Sequence, residues 1–348
     1  MVAAEDGAFQ DVVAETLFLR DIRRDLPRVL DIRTRVLAGL AGRAEGPPPA
    51  FIQQAPVAHD ASFALAASVV IPRRRAAWSV RDVPATPSCP CDGCRHAAAR
   101  LVRLGDQTSL HATNLYGTGA DAFAEASDMF RAAERLLERC GMGFGDVVRT
   151  WIYVRDIDRD YRALNEARRD FLRQRGIDIR PASTGVQGIP FPDEHDFCLR
   201  LQALQSSRPR DVTAMSTPSL NEASCYGADF SRGLRVVEAN KVTLHVSGTA
   251  SIDESGDTAH VGDFAAQVER MLHNIATLLA GQGASFEHVA SAVAYVKRAE
   301  DAPTLTSICR QRGFDGFPCV VVETPLCRPE LLCEIEAEAV LPLAGPGA

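Results

Sequence analysis

The sequence predicts an α+β protein: two tandem copies of a sheet-and-helix unit, helices packed on one sheet face, behind an N-terminal extension. Three observations predict it. Phe144-Gly-Asp-Val-Val-Arg-Thr-Trp-Ile-Tyr153-Val154 returns about 142 residues later as Phe286-Glu-His-Val-Ala-Ser-Ala-Val-Ala-Tyr295-Val296, with Phe, Val, Tyr and Val in matching places. Upstream of each copy lies a helical stretch, Ala122 to Cys140 and Phe264 to Ala280. Both keep Met129/Met271 and Leu136-Leu137/Leu278-Leu279 at one offset and stop before Gly141 and Gly283. Alternation or dense β-branching marks strands at 148–154, 242–252, 290–296, 318–323 and 331–340. A few strands with two helices per copy imply helices on one face of a sheet, which leaves the other face to a partner or a ligand.

In chain order, residues 1–97 form the extension. Its first 45 or so residues read as an arginine-rich amphipathic helix, ended by Gly46-Pro-Pro-Pro49. A short apolar run, Phe63 to Ile71, precedes Arg73-Arg-Arg75 and a Pro-, Ser- and Cys-rich stretch from Val83 to Cys94. The first unit covers 98–205, as strand, helix, strand, helix, strand. A connector rich in Ser, Pro, Asn and Gly covers 206–236, and the second unit 237–348.

At 348 residues and 46% hydrophobic content the chain can bury a sizeable core. A net charge of -7 provides no general field for nucleic acid or acidic lipid, so an anionic ligand must be met by locally placed arginines. No window approaches the roughly eighteen apolar residues of a membrane span. Glu5, Asp6, Asp11 and Glu15 stand where a signal peptide needs a basic start and an apolar run. The expectation is a cytoplasmic protein with no nucleic-acid or membrane partner. Ten cysteines, several within apolar strands (Cys198, Cys319, Cys333), read as reduced core residues.

A duplicated unit whose copies have diverged tends to keep one working site, so the search for chemistry begins where the halves differ. The final strand of the second copy, Leu331-Leu-Cys-Glu334-Ile-Glu336-Ala-Glu338-Ala-Val340, alternates strictly after Cys333, with Glu334, Glu336 and Glu338 on one face. A solvated acidic face is one reading. The other is a covered Glu334 whose proton is retained by desolvation and by the like charge of Glu336, as a general acid requires. The turn before it, Thr324-Pro-Leu-Cys327-Arg328-Pro-Glu330, brings a thiol and a guanidinium near Glu334. No histidine lies nearby in sequence to activate Cys327, so it reads as pocket lining.

Gly248, inside the β-branched run Val246-Ser-Gly-Thr-Ala250, marks either a bulge or the close approach of another group. The connector carries Tyr226-Gly227, Phe230 and Arg232, a cluster suited to clamping a carboxylate or simply a solvated loop. Arg149, Tyr153, Thr184 and Gly185 in the first copy either complete the same pocket or are packing and turn residues. Cys89, Cys91, Cys94 and His96 offer half a zinc knuckle with no second pair, and Tyr116-Gly-Thr-Gly119 lacks the third glycine of a dinucleotide loop. The expectation is no metal and no cofactor.

The paired Phe-x-x-Val junctions, the Tyr-Val strand ends and the final Glu-Ile-Glu-Ala strand resemble the Rid (YjgF-like, chorismate-mutase-like) superfamily, present here twice. Imine-hydrolysing members of that superfamily carry an arginine two positions before the residue matching Cys319, where this chain has Phe317. The tandem arrangement, with Arg149-Thr-Trp-Ile-Tyr153, Ser183-Thr-Gly-Val186, Phe230-Ser-Arg232, Ser247-Gly-Thr249, Tyr295-Val-Lys297 and Leu331-Leu-Cys-Glu334-Ile-Glu336, is similar to the chorismatases over about 98–340. That resemblance implies cleavage of chorismate to pyruvate and a cyclic acid, Glu334 as catalytic acid, and matches at Gln267 and Asn274. It also implies substrate contacts from Arg149, Tyr153, Thr184, Gly185, Tyr226, Arg232, Gly248 and Cys327. The Gly248 and Cys327 pair resembles the 3-hydroxybenzoate-forming subtype. Hydrolysis to a dihydroxycyclohexadiene acid, imine deamination, metabolite binding without turnover and homo-oligomerisation remain open at this stage.

Overall fold

The computed structural model describes residues 9–41, 47, 49–72, 77–84, 98–206, 211–221, 229–238 and 240–343. The extension contributes β1 (Val12–Leu19), α1 (Ile22–Ala41), β2 (Pro49–Gln53), β3 (Ala55–Pro56), β4 (Phe63–Val69) and β5 (Trp78–Pro84). The first unit follows as β6 (Ala98–Leu104), β7 (Gln107–Leu115), α2 (Ala122–Arg139), β8 (Val147–Val154), α3 (Ile157–Gln174), β9 (Ala182–Gln187), β10 (Ile189–Pro190) and β11 (Phe197–Ser206). After β12 (Val212–Ala214), the second unit runs β13 (Gly233–Val237), β14 (Lys241–Ala250), α4 (Phe264–Ala280), β15 (Val289–Val296), α5 (Ala302–Gln311), β16 (Cys319–Glu323) and β17 (Cys333–Pro342).

The two units share one plan: a hairpin, then helix, strand, helix, and two further strands. Strand-by-strand reading missed the hairpins, because the opening strand of each is short or interrupted by polar residues. The helices are stopped as their sequences require. Asp121, Asp156 and Asp263 cap α2, α3 and α4 by accepting backbone N–H groups of the first turn. Gly141 and Gly283 end α2 and α4 with φ of 74° and 71°, a conformation that favours glycine. The buried stripe of α2 (Met129, Ala133, Leu136, Leu137) and that of α4 (Val268, Met271, Leu272, Ile275, Leu278) each pack on a sheet.

The sheet orders are β10-β2-β1-β4, β5-β6-β7-β11-β8-β9 and β12-β13-β14-β17-β15-β16-β3. The two larger sheets turn their helix-free faces toward each other, so the face left open by the sequence pattern is covered by the sibling unit. The first 45 residues depart from the helical expectation, since among the described ones the α-helix covers 22–41 and 12–19 is a strand. Val12–Leu19 is buried along its whole length and pairs with β2 and β4, which is how a strand covered on both faces reads. The extension is also stitched into both larger sheets, β5 onto β6 and β3 onto β16. Cys198 and Cys333 are buried as expected, whereas Cys319 is exposed because β3 covers only the far end of β16. Among the described residues no helix is long and apolar enough to cross a membrane.

Candidate active site

Strand β17 lies in the middle of its sheet, between β14 and β15, and this placement removes the solvated reading of its acidic face. Glu334 is 4% exposed and Glu336 6%. Glu336 is held from the first unit: Arg149 Nη2 donates to it at 2.9 Å and Trp151 Nε1 at 2.7 Å. It is therefore a buried carboxylate with its charge compensated. Glu334 has no such partner among the described residues. Burial, and then the negative charge of Glu336, push its carboxyl up to about 8 against the opposing pull of Arg149 and Arg232. At neutral pH Glu334 is a protonated acid. Glu338, one step further along and partly exposed, is brought down to about 2 by the hydrogen bond and charge of His245. Three carboxyls on one face thus have three different environments: Glu336 is met from the opposite sheet, Glu338 by His245 of the neighbouring strand β14, and Glu334 by neither.

Glu334 faces a cavity of about 430 Å³. Five arginines line it (Arg162, Arg168, Arg169, Arg232, Arg328) against two carboxyls, Glu166 and Glu334. An acidic protein has thereby concentrated cations in one place, which is what a dianionic ligand needs. The contrast with a second cavity, of about 590 Å³, decides which one takes an anion. There the charged groups among the described lining residues are Asp106, Glu238, Glu338 and Lys241. Both walls of the first cavity come from one chain, Tyr161 to Gly185 from the first unit and Gly248 to Glu334 from the second.

Gly248 satisfies both of its sequence readings. The β14–β17 register slips between Val246 and Thr249, so a bulge is present. A Cβ at 248 would also lie 2.0 Å from Glu334 Oε1 and 3.1 Å from Thr184 Cγ2, so the acid occupies the space a side chain would take. The Gly248 N–H donates to Thr184 Oγ1 at 3.0 Å, and Arg149 Nη2 donates to the same oxygen at 2.6 Å. Ser183 N donates to Ser247 Oγ at 2.9 Å, tying β9 of one unit to β14 of the other.

Of the residues expected at the site, Glu334, Gly185, Arg232, Gly248 and Cys327 line the cavity. Thr184 and Arg149 lie behind its wall, where Thr184 holds the Gly248 N–H and Arg149 holds Glu336. Tyr153 is not brought to the cavity: it is 1% exposed, packed in the core, and burial raises its hydroxyl pKa. Gln267 and Asn274 are fully buried and also lie away from the cavity lining. Gln267 accepts from Leu332 N at 2.9 Å and donates to Glu330 O at 2.9 Å, and Asn274 donates to the carbonyls of Ala250 and Ile252. They hold the ends of β17 and β14 that flank the acid. Tyr226 and Gly227 lie outside the described residues, as do Cys89, Cys91, Cys94 and His96. Among the described residues no three potential ligands group as a metal site.

Cys327 is a wall and not a nucleophile: burial and then the charge of Glu334 push its thiol up to about 12. Sequence reading missed Tyr161, Asn165 and Arg168. The available signal was Asn165 and Arg168 lying among Leu164, Ala167, Phe171 and Leu172 on the buried side of α3. Arg168 donates to Asn165 Oδ1 at 2.5 Å and to Ser183 Oγ at 3.3 Å, and the Arg168 and Arg232 guanidiniums both lie over the Phe230 ring. Arg232 is further oriented by Asn221, through the backbone carbonyl at 2.8 Å and Oδ1 at 3.1 Å. The cationic wall is thus braced before any ligand arrives.

Residues 228–341 match the family model for endoribonuclease L-PSP. A 3-hydroxybenzoate synthase of Streptomyces hygroscopicus is 31% identical over 226 residues, covering 56% of this chain and 63% of the relative. The match thus spans less than two thirds of that protein. The 3-aminoacrylate deaminase RutC of Acinetobacter baylyi is 30% identical over 97 residues, which is 28% of this chain and 77% of the relative. The crystal structure of a chorismatase superposes with a TM-score of 0.66 at 19% identity, covering 95% of this chain and 93% of that one, a likeness of fold. The chain therefore belongs to the Rid-like, endoribonuclease L-PSP superfamily, and over nearly its whole length it shares the fold of a chorismatase.

Proposed function

We propose that the protein is a cytoplasmic chorismatase that converts chorismate to 3-hydroxybenzoate and pyruvate. The observation that carries this reading is a protonated, buried Glu334 facing an arginine-lined cavity. Chorismate bears a ring carboxylate and an enolpyruvyl carboxylate, and the arginines of α3, Arg232 and Arg328 supply charge-assisted donors for both. Glu334 donates its proton to the enolpyruvyl methylene carbon, which turns the side chain into an oxocarbenium ion. The neighbouring ring hydroxyl then displaces the ether oxygen from the ring carbon. The C–O bond to the side chain breaks, its electron pair completes the carbonyl of pyruvate, and an epoxide forms on the ring. Opening of the epoxide with loss of a ring proton yields the aromatic acid. The hydroxyl proton and the ring proton leave, one protonates the opened oxygen, and one returns to Glu334. The sum is one chorismate to one 3-hydroxybenzoate and one pyruvate, with no water consumed.

Imine deamination is the second reading, favoured by the match to the 3-aminoacrylate deaminase. Against it stands Phe317, which packs on Phe314 with ring centroids 4.8 Å apart where deaminating relatives are expected to place an arginine. Incubation with chorismate, with pyruvate assayed enzymatically and the aromatic product identified by mass, tests the main reading. Glu334→Gln is expected to lower pyruvate release by about 10²–10⁴-fold, the usual contribution of a general acid, while chorismate binding remains measurable. Undiminished turnover in that variant, or ammonia release from a dehydroamino-acid imine in place of pyruvate release from chorismate, would refute the assignment.

A further inference from the structure

We propose that Tyr161 is a specificity-determining residue of this cavity. By pinning the Cys327 thiol it decides whether the substrate's own hydroxyl or a water molecule completes the reaction. The proposal rests on the chorismatase reading above and names a residue that neither the sequence pattern nor the resemblance singled out.

Three observations converge on Tyr161. It lies in the second turn of α3 and lines the cavity together with Glu334, Gly248 and Cys327. Its ring packs beside Gly185: a Cβ there would meet Tyr161 Cε2 at 3.4 Å and the hydroxyl at 4.0 Å, ordinary contact distances. Its hydroxyl forms a hydrogen bond with the Cys327 side chain. Asn165, one turn further on, donates to the Tyr161 carbonyl at 2.9 Å, so the backbone that carries the phenol is itself held. The thiol is neutral, so the pair forms an uncharged wall within the field of Glu334.

The two possible outcomes of protonation differ by one water. Displacement by the ring hydroxyl gives hydroxybenzoate plus pyruvate with the atoms of chorismate alone. If water instead adds to the oxocarbenium carbon, the hemiketal collapses to pyruvate, the ring keeps its ether oxygen as a hydroxyl, and one water is consumed. A wall that denies water a place beside the oxocarbenium carbon therefore selects the first route. A thiol alone rotates about its Cα–Cβ bond. Hydrogen-bonded to a phenol whose ring packs beside Gly185, it is held in one rotamer.

The test measures total pyruvate and the ratio of hydroxybenzoate to dihydroxycyclohexadiene acid for the parent chain, Tyr161→Phe and Tyr161→Ala. Tyr161→Phe keeps the ring and removes the pin, and Tyr161→Ala opens the space. The expected result is continued pyruvate release with a ratio shifted toward the dihydroxy acid, by about tenfold or more in Tyr161→Ala (one factor of ten being about 1.4 kcal/mol) and by less in Tyr161→Phe. A merely structural role would lower both products together. An unchanged ratio in a variant that still releases pyruvate overturns the proposal, and so does loss of both products in Tyr161→Phe, whose fold is checked by its melting curve. If the parent chain itself yields no pyruvate from chorismate, the reading of the function falls and this proposal falls with it. A parent that yields pyruvate while the variants keep its product ratio leaves the function standing and removes Tyr161 from the argument.

Discussion

Glu334 is an acid because water has been taken from it, and this fixes the direction of every pH effect it causes. Its proton is lost as pH rises through about 8, so the rate of the proton-transfer step is expected to be level near neutrality and to fall above that value. The sign for stability follows from linkage. The folded-state pKa lies above that of an unfolded carboxyl, so between the two values the native state binds the extra proton and stability declines as pH rises. Glu334→Gln removes that dependence. Urea melts at several pH values between 5 and 9 are expected to show the variant gaining on the parent as pH increases; a constant gap would mean that Glu334 is already ionised in the native state. The alternation that puts three carboxyls on one face was legible in the sequence. Their separate environments were not, because they depend on side chains more than 90 residues away, Arg149 for Glu336 and His245 for Glu338, while Glu334 has no such partner among the described residues.

Strand β17 carries Glu334, but β8 and β9 of the other unit hold it in place. The Arg149–Glu336 pair is buried on both sides, 3% and 8% exposed, and it is the strongest polar tie between the two sheets at the site. Arg149→Met leaves Glu336 charged and uncompensated, and is expected to destabilise the protein by about 3–5 kcal/mol by denaturant melting. Adding Glu336→Gln to that variant should recover much of the loss, since the carboxylate that needed compensation is gone. A double variant no more stable than Arg149→Met would show that the arginine acts through packing, for instance over the Trp151 ring, and not through charge. Asymmetry between the copies pointed to the second, which carries the buried Glu334. The contribution of the first was underestimated, because its sequence shows an arginine and a threonine on two strands without showing that both reach across to the sibling.

At the scale of the whole molecule the extension is a structural part of both units. β3 completes one sheet and β5 the other, and β1 fills the space between with Val13, Leu17, Phe18 and Leu19. A chain beginning at residue 98 would expose the edges of β6 and β16 together with the apolar surface that β1 covers. Such a chain is expected to lose its cooperative thermal transition and to aggregate, by calorimetry and light scattering. A sharp transition in the truncated chain would show that the two units are self-sufficient. Reading residues 12–19 as helix failed for a definite reason: an eight-residue run buried on both faces has neither the two-residue nor the 3.6-residue period, and only length and neighbours distinguish the choices.

The sequence by itself determined the duplication, the helices and their stops, the strand that bears the acid, the glycine and cysteine beside it, and the expectation that an acidic chain must meet an anion with local arginines. These are matters of period, spacing and residue type, which are local. Tertiary structure alone decided that Glu334 keeps its proton, that Arg149 and Thr184 stand behind the cavity wall, that Tyr153 belongs to the core, and that Tyr161 stands in the cavity. Those outcomes depend on which groups meet across two sheets folded face to face, where desolvation and charge are set by residues far apart in the chain.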